Sequence, residues 1–372
     1  MDNGASNNSP LAIEPGPAVA PAADDGPPRV AVIGTGAWGT TLALLVAQNE
    51  PVIFFSHSAE TAARIEHEHR NGRRLPGIDL PPRVIVSADP GAVAAAADLV
   101  IVAVPSAHVR EVVERVGPSI PATADVLSVV KGLEHGSLLR MSEVIAAAGG
   151  IDPARIAALS GPNLAHEIAR GLPASAVVAS ADPELGDRVV ARLSRRAFRL
   201  YTNPDLIGVE LCGALKNIIA IAAGAADGLG FGDNGKAGLI TRGLAEMTRL
   251  GIAAGANPLT FAGLAGVGDV IVTCGSDLSR NHRLGDLLAD GRKWAEIETV
   301  LGGVAEGAYT VDAALGLAKR LGVEMPIAEE VHNALFEGKS VQRCLIDLLA
   351  RESKDELEGF RLWTEKVTGS PD

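Results

Sequence analysis

Apolar and polar positions in the first part of the chain follow the pattern of alternating strands and helices. A β-branched run, RVAVI at Arg29–Ile33, leads into the glycine turn GTGAWG and then into an apolar helical stretch, TTLALLVAQN. A second apolar run, VIFF, begins at Val52. Strand, glycine turn, helix and strand in this order predict one βαβ unit.

Short apolar runs separated by helical stretches continue to about residue 200. The further predicted strands are Val84–Val86, Leu99–Val104, Val126–Val130 and Ala176–Ala179. The predicted helices between them include His108–Val116 and Ser137–Ala148. This alternation predicts an α/β fold, with a mostly parallel sheet and helices on both faces.

The pattern changes near residues 198–204, after which helical periodicity dominates and β-branched runs are scarce. The predicted helices are Leu206–Ala226, Gly235–Ala254, His282–Leu288, Trp294–Leu301, Val311–Leu321 and Ile327–Phe336. We therefore predict an α/β domain over residues 29–200 and an all-helical domain over residues 201–365. Residues 1–28 are rich in Pro, Ala, Asn and Gly and lack the basic start of a signal peptide, which predicts a disordered tail.

The turn Gly34-Thr35-Gly36-Ala37-Trp38-Gly39 has the spacing GxGxxG between a predicted strand and a predicted helix. The first glycine permits a tight turn, the second lets the backbone approach a pyrophosphate, and the third allows close packing of helix on strand. A glycine turn without a ligand is the alternative, but the flanking strand and helix favour a dinucleotide. The first domain is therefore predicted to be Rossmann-like.

The end of the second strand decides between NAD and NADP in such domains, because an acidic residue there binds the ribose 2′-hydroxyl. Here the strand ends Phe55-Ser56-His57-Ser58, and Glu60 belongs to the next predicted helix. His57 and Arg64 favour NADP, unless Arg64 is a solvated helix residue. The sequence leaves NAD and NADP both open.

Polar residues follow two apolar runs where strand ends line the ligand crevice of a parallel sheet. Lys131 follows DVLSVV, so we expect its side chain at the crevice unless it is an ordinary surface lysine. Further along, LSGPN contains a Gly-Pro turn, and Asn163 can cap the helix that follows. Alternatively, the start of this helix forms a wall of the crevice.

The most apolar predicted helix carries Glu210, Lys216 and Asn217 in the segment GVELCGALKNIIAIAAGAADG. Its length would suit a membrane span, but two charges and many Ala and Gly residues oppose one. Burial of an unpaired ammonium costs several kcal/mol. Lys216 is therefore predicted either to extend its amine to water or to exchange a proton with a carbonyl or alkoxide oxygen.

A third polar cluster lies in GLAGVGDVIVTCGSDLSRNHRLG. Asp269 is predicted in a glycine-rich loop, and Ser279-Arg280-Asn281 is predicted to open a helix. Guanidinium, amide and helix N-terminal N–H groups at one place predict a phosphate site. The next two residues, His282 and Arg283, are predicted to be surface residues.

Composition limits the partners. The 372-residue chain has a formal net charge of −12, which argues against nucleic acid but not against a small anion in a local positive pocket. The three cysteines, Cys212, Cys274 and Cys344, lack metal-ligand spacing and are predicted to be reduced thiols of a cytoplasmic protein. No metal is predicted.

Together these segments resemble the bacterial-type NAD(P)-dependent glycerol-3-phosphate dehydrogenases. The matching segments include GTGAWGTTLA, RRLPGIDLP, KGLE, SGPNLAHEIARGLP, GVELCGALKNIIAIAAGAADGLGFGDNGKAG, GLAGVGDVIVTCGSDLSRNHRLG and VAEGAYT. The resemblance implies interconversion of sn-glycerol 3-phosphate and dihydroxyacetone phosphate by hydride transfer to or from NAD or NADP. It also implies a supply of glycerol 3-phosphate for phospholipid synthesis, and a homodimer.

The resemblance also implies site residues, with Lys216 as the proton donor and acceptor at the C2 oxygen. The residues implied at the substrate are Lys131, Gly161, Asn163, Lys216, Asp269, Ser279, Arg280 and Asn281. The residues implied at the cofactor are Gly34, Gly36, Ala37, Trp38, Gly39, His57, Lys131, Ala165, Arg280, Val304 and Glu306. Asn163 departs from the Ser or Thr usual in the family, and Phe55-Ser56-His57 departs from the commoner Trp-containing strand end.

Two other functions agree with parts of the sequence. A related reductase acting on a 3-hydroxy acid would share the two-domain plan and the helix lysine, but the Ser-Arg-Asn cluster argues against it. A cofactor-binding sensor without turnover would keep GxGxxG and lose the chemical residues. Lys131, Lys216, Asp269 and Arg280 are all present, which argues against a sensor.

Overall fold

A computed structural model describes residues 26–94 and 98–352 of the chain. Most of the predicted tail, residues 1–25, and the predicted end of the helical domain beyond residue 352 lie outside the described residues.

The described residues form one eight-stranded sheet in the order β3-β2-β1-β4-β5-β6-β7-β8. The strands are β1 (Val30–Ile33), β2 (Val52–Phe55), β3 (Val84–Ser87), β4 (Leu99–Val102), β5 (Asp125–Ser128), β6 (Ile156–Ser160), β7 (Ala174–Ala179) and β8 (Phe198–Asn203). All neighbouring pairs are parallel except β6 and β7, which are antiparallel. The predicted mostly parallel sheet is confirmed.

The helices of the first half cover both faces of this sheet. They are α1 (Ala37–Ala47), α2 (Ala59–Glu68), α3 (Pro90–Ala94), α4 (Val109–Val116), α5 (Met141–Gly149), α6 (Ala165–Ala169) and α7 (Pro183–Leu193). One core lies between the sheet and α1, α2, α6 and α7, and the other between the sheet and α3, α4 and α5. Because β1, β2, β4 and β5 are buried along their whole length, the ends of these strands are the sheet's available ligand edge.

The second half is helical, as predicted. It contains α8 (Leu206–Gly228), α9 (Gly232–Ala253), α10 (Pro258–Phe261), α11 (Asp269–Gly275), α12 (Arg280–Ala289), α13 (Trp294–Val300), α14 (Glu306–Leu321), α15 (Pro326–Phe336) and α16 (Val341–Leu349). A π turn, Leu264–Gly268, precedes α11. Helix α8 is the centre of this half, and α9, α11, α12 and α14 pack around it.

Two glycines allow α8 and α12 to approach until backbone meets backbone. A side chain at Gly224 would collide with the carbonyl of His282, and one at Gly285 would collide with the carbonyl of Ile221. This close crossing carries the start of α12 against the C-terminal half of α8. The Ala and Gly content of α8 is therefore a packing requirement.

Several predicted boundaries differ from the structure. The predicted division between residues 200 and 201 falls inside β8, and β6 and β8 were not predicted. Helix α5 begins at Met141, not Ser137, because Leu133 and Arg140 form a β-bridge that closes the preceding turn. Asp269 begins helix α11 and does not lie in a loop.

Candidate active site

The glycine turn has the geometry that a dinucleotide requires. Gly34 has φ of +113°, and a side chain there would meet the backbone of Ala103 at 2.5 Å. A side chain at Gly39 would collide with the carbonyl of Gly34, so this glycine packs α1 onto β1. Gly36 faces open space at the start of α1, where no side chain caps the helix. The free N–H groups there suit a pyrophosphate.

The neighbouring cofactor candidates lie around this turn. Trp38 packs edge-on against Phe198, with ring centroids 6.1 Å apart, and its buried indole N–H has no partner among the described residues. Ala165 begins α6, and its carbonyl accepts a hydrogen bond from Thr41 Oγ1 of α1 at 3.1 Å. His57 is exposed just beyond β2.

The two predicted lysines converge on one carboxylate. Lys131 Nζ lies 2.6 Å from Asp269 Oδ2, and Lys216 Nζ lies 2.6 Å from Asp269 Oδ1. Lys131 also donates to the carbonyl of Gly161 at 2.9 Å. Gly213 in α8 permits the approach, since a side chain there would lie 3.3 Å from Lys131 Cγ. Residues that follow β5 and β6 thus meet residues of α8 and α11 at one point.

Burial and charge set the protonation of this cluster. The side chains of Lys131, Lys216 and Asp269 are 17%, 7% and 2% exposed. Burial lowers the pKa of Lys131 from 10.5 to about 8, against the opposing attraction of Asp269. Burial alone would raise the pKa of Asp269, but Lys131 and Lys216 outweigh it and hold that pKa below its usual value. The carboxylate is therefore charged at neutral pH.

Thr273 completes the contacts of Lys216, and sequence analysis missed it. Lys216 Nζ donates to Thr273 Oγ1 at 2.5 Å, and Thr273 Oγ1 donates to the carbonyl of Asp269 at 2.6 Å. Thr273 lies four residues after Asp269, so a helical reading of DVIVT would have placed both on one face. The two α11 side chains direct the Lys216 ammonium.

The predicted phosphate turn forms at the start of α12. Ser279 caps the helix, its Oγ accepting from the backbone N–H of His282 at 3.2 Å. Asn281 Nδ2 donates to Asn217 Oδ1 at 2.9 Å, and Asn281 Oδ1 accepts from the N–H of Gly307 at 3.0 Å. Asn281 thereby links α8, α12 and α14.

The prediction that His282 is a surface residue is wrong. Its side chain is 12% exposed and its Nε2 lies 2.7 Å from Asp227 Oδ2. The reason is the glycine-mediated crossing of α8 and α12, which brings the start of α12 against the end of α8.

Arg280 and Glu306 face each other across this region. Burial lowers the pKa of Arg280, and the charge of Glu306 opposes that effect. Gly303 leaves space for the Arg280 guanidinium, since a side chain there would collide with it. Glu306 Oε1 accepts from the backbone N–H of Ser106 at 3.3 Å, and Glu306 also accepts from the Ser106 hydroxyl. Val304, two residues before Glu306, is partly buried. The start of α14 thus contacts the turn after β4.

A second missed residue is Arg140, which fixes α8 to the Rossmann-like half. Glu210 in α8 accepts from Arg140 Nη1 at 2.5 Å and from the N–H and hydroxyl of Ser142 at 2.8 and 2.6 Å. Burial raises the pKa of Glu210 in spite of these partners. This buried network holds the lysine-bearing helix against α5.

Asn163 does not cap α6 as predicted. Leu164 occupies the N-cap position without a side-chain hydrogen bond, and both amide atoms of Asn163 are buried without a partner among the described residues. The buried hydroxyl of Ser160 is likewise unpaired within that part of the chain. Backbone geometry sets the turn, because Gly161 has φ of +134°.

Comparison with known proteins agrees with this architecture. The sequence model of the NAD-dependent glycerol-3-phosphate dehydrogenase N-terminus matches residues 29–186, and that of the C-terminus matches residues 205–346. The chain belongs to the glycerol-3-phosphate dehydrogenase family. Both matched segments contain residues of the lysine–aspartate cluster, so the family's full two-part plan is present.

Individual relatives support the assignment. The chain is 46% identical to a glycerol-3-phosphate dehydrogenase [NAD(P)+] from Geobacillus thermodenitrificans over 88% of this chain and 96% of the relative. It is 44% identical to one from Streptomyces avermitilis over 89% of this chain and 98% of the relative. A solved glycerol-3-phosphate dehydrogenase from Coxiella burnetii covers 87% of this chain, with 99% of its own length matched, 37% identity and a TM-score of 0.83.

Two segments of the described residues have the length and hydropathy of a membrane span. In Leu206–Gly228, 89% of the apolar window is buried inside the protein, as expected for a core helix. In Pro258–Gly275, 50% of the apolar window is buried, and the segment is divided into α10, the π turn and α11.

Proposed function

We propose that the chain interconverts sn-glycerol 3-phosphate and dihydroxyacetone phosphate with NAD or NADP as diffusible cosubstrate. The observation that carries the proposal is the convergence of Lys131 and Lys216 on Asp269, at the same edge of the sheet as the glycine turn. A buried ammonium with a fixed orientation can protonate an oxygen that gains electrons. The family's substrate places such an oxygen at C2.

Lys216 is proposed as the group that donates a proton to the C2 oxygen during reduction and removes it during oxidation. The nicotinamide, when bound, supplies or accepts the hydride at C2. Lys131 polarises the same oxygen, and Asp269 and Thr273 orient Lys216. Their burial excludes water, which strengthens each electrostatic interaction.

The substrate phosphate is proposed to lie at the start of α12, where Arg280, Asn281 and helix N–H groups are donors. Ser279 holds that turn. Gly161 and Asn163 are proposed to contact the substrate from the side of β6. Anchoring of the phosphate would hold C2 beside Lys216 for reaction.

The cofactor is proposed to bind at the glycine turn, Gly34, Gly36, Ala37, Trp38 and Gly39. Its remaining contacts are proposed to be His57, Lys131, Ala165, Arg280, Val304 and Glu306. We further propose a cytoplasmic homodimer that supplies glycerol 3-phosphate for phospholipid synthesis, with the division between its two domains after β8, near residue 204.

A spectrophotometric assay tests the proposal. Dihydroxyacetone phosphate should support oxidation of NADH or NADPH. Assays with the two cofactors, run in parallel, establish which one the enzyme prefers. A β-keto acid tests the related-reductase alternative under the same conditions. Turnover on the keto acid alone would refute the proposed substrate, and cofactor binding without any turnover would favour a sensor.

A further inference from the structure

Asn71 joins the loop after α2 to the glycine turn, although neither the sequence motifs nor the family resemblance assigns it a role. The residue is 1% exposed. Its Nδ2 donates to the carbonyl of Thr35 and to Thr40 Oγ1, both at 2.9 Å. Thr35 belongs to GTGAWG, and Thr40 lies in the first turn of α1. A single buried amide thus contacts both the glycine turn and the helix that follows it.

The loop gives Asn71 a defined position. Its backbone carbonyl accepts from the N–H groups of Arg74 and Leu75 at 3.0 and 2.8 Å, and Leu75 is fully buried. At the base of the loop, the N–H of Leu80 donates to the carbonyl of His69 at 2.7 Å. The Asn71 amide is therefore presented to the glycine turn by a closed and anchored loop.

Thr40 extends the contact of Asn71 from Thr35 to Gly36. Thr40 Oγ1 donates to the carbonyl of Gly36 at 2.8 Å, and the backbone N–H of Thr40 donates to the same carbonyl at 2.9 Å. A hydroxyl has one proton, so Thr40 Oγ1 accepts from Asn71 while it donates to Gly36. Asn71 thus holds one carbonyl of the turn directly and the next one through Thr40.

The direction of these two carbonyls determines where the N–H groups of the turn point. In a planar trans peptide, the C=O and the N–H point in opposite directions. The Thr35 carbonyl is held toward Asn71, so the N–H of Gly36 points away from the loop. The Gly36 carbonyl is held by Thr40, so the N–H of Ala37 points out of the start of α1, which no side chain caps. Such N–H groups are the donors that a pyrophosphate requires.

We propose that Asn71 is a positioning residue for the cofactor, which directs the N–H groups of Gly36 and Ala37 at the pyrophosphate by holding the carbonyls opposite them. The proposal rests on the proposed function for the identity of the ligand. Only Nδ2 of Asn71 faces the two acceptors, and its Oδ1 is buried without a partner among the described residues. The role therefore depends on an N–H donor at this position.

Cofactor binding to Asn71→Ala and Asn71→Asp tests this role. Aspartate has nearly the same shape but no N–H donor, so its carboxylate would face the Thr35 carbonyl with no proton between them. Fluorescence titration without substrate measures the Kd for NADH or NADPH, whichever binds the unmodified chain more tightly. We expect the Kd to rise about tenfold in both variants, as for loss of one hydrogen bond to a charged group. The KM for the cofactor should rise with the Kd, and kcat at saturating cofactor should fall less.

Asp182→Ala is the matched control for a general loss of stability in the same half of the chain. Asp182 caps α7, its Oδ1 accepting from the N–H of Glu184 at 3.0 Å. This variant should melt at a lower temperature and keep its Kd within about twofold of the parent. An unchanged Kd in both Asn71 variants, or an equal rise in Asp182→Ala, would overturn the proposal.

Thr40→Val and Thr40→Ser test the second link, and they keep the proposal falsifiable if the Asn71 variants do not fold. Valine has the shape of threonine without the hydroxyl, and serine retains the hydroxyl. The Kd should rise about threefold or more in Thr40→Val and stay near the parent value in Thr40→Ser. Equal Kd values in these two variants would overturn the proposal. Failure of the unmodified chain to bind either NADH or NADPH would refute the proposed function instead, so the two failures are distinct.

Discussion

The ammonium groups of Lys131 and Lys216 donate to opposite oxygens of the single buried carboxylate of Asp269, each at 2.6 Å. One negative charge is thus shared between two cations in a nearly dry environment. The cluster keeps a surplus positive charge beside the proposed position of the C2 oxygen. This arrangement explains how the most apolar helix of the chain tolerates a lysine.

Replacement of Lys216 by alanine should lower kcat by about 10²–10⁴-fold, the usual contribution of a positioned proton donor. NADH should still bind, because the glycine turn is untouched. Stopped-flow assays and fluorescence titration check both expectations. Lys319→Ala, on the last turn of α14, is the control and should have normal turnover. Near-normal turnover in a folded Lys216→Ala protein would contradict the proton-transfer role.

Replacement of Asp269 by asparagine should leave two buried ammonium groups without their anion, at a cost of about 3–5 kcal/mol in the free energy of unfolding. Raising the pH should restore part of this loss, because a buried lysine can then lose its proton. Urea unfolding at pH 7 and pH 9.5 measures the effect. A penalty that is equal at both pH values would contradict this explanation, and the exposed Asp290→Asn should be neutral.

The pKa of Lys131, lowered from 10.5 to about 8, predicts a pH dependence of substrate reduction. Lys131 is a cation below pH 8 and loses its charge as the pH rises through 8, so kcat/KM for dihydroxyacetone phosphate should fall there. Between pH 8 and 10.5 the unfolded chain binds more protons at this residue, so its unfavourable contribution to folding diminishes. Lys131→Arg stays charged and should lose the descending limb near pH 8; an unchanged limb would assign it to another group.

Replacement of Arg280 by alanine should raise the KM for dihydroxyacetone phosphate by about 10–100-fold, since a charge-assisted hydrogen bond contributes about 1.5–3 kcal/mol. The value of kcat should change less. Arg283→Ala, three residues further along α12, provides the comparison and should keep its KM. An unchanged KM in Arg280→Ala would remove this residue from the substrate site.

Replacement of Gly224 by alanine should destabilise the protein by about 1–3 kcal/mol, because the new methyl group would collide with the His282 backbone. Gly238 in α9 has open space around it, so Gly238→Ala should be neutral or stabilising by up to about 1 kcal/mol. Thermal unfolding of the two variants gives the comparison. If Gly224→Ala and Gly238→Ala had the same melting temperature, α8 and α12 would be able to move apart and accommodate the methyl group.

The fold class was predictable because several individual segments have a clear apolar pattern that is typical of a strand or a helix. VAVI and VIFF became parallel neighbours with Val30 opposite Val52, and the long apolar run became α8. The segments IAALS and FRLYTN were not recognised as strands. The first contains two alanines and the second has several exposed residues, so neither shows a clear apolar run.

Site residues were predictable where a charged residue stands in an otherwise apolar segment, because few roles account for such a position. Lys131 at the end of a strand and Lys216 in an apolar helix are examples, and the roles assigned to them stay predictions. Thr273 and Arg140 were missed, because a threonine within a helix and an arginine just before a helix are ordinary in sequence. His282 was placed wrongly because its burial depends on a helix that begins 76 residues earlier.

The sequence alone determined the α/β half followed by a helical half, the glycine turn and the family, since each depends on residues that are near one another in the chain. Only the tertiary structure decided the charge balance of the site. Lys131, Lys216 and Asp269 are separated by 85 and 53 residues, and their ionisation depends on distances and burial that no local pattern encodes. Coulomb energy and desolvation vary steeply over a few ångströms, so they become defined only when the chain is folded.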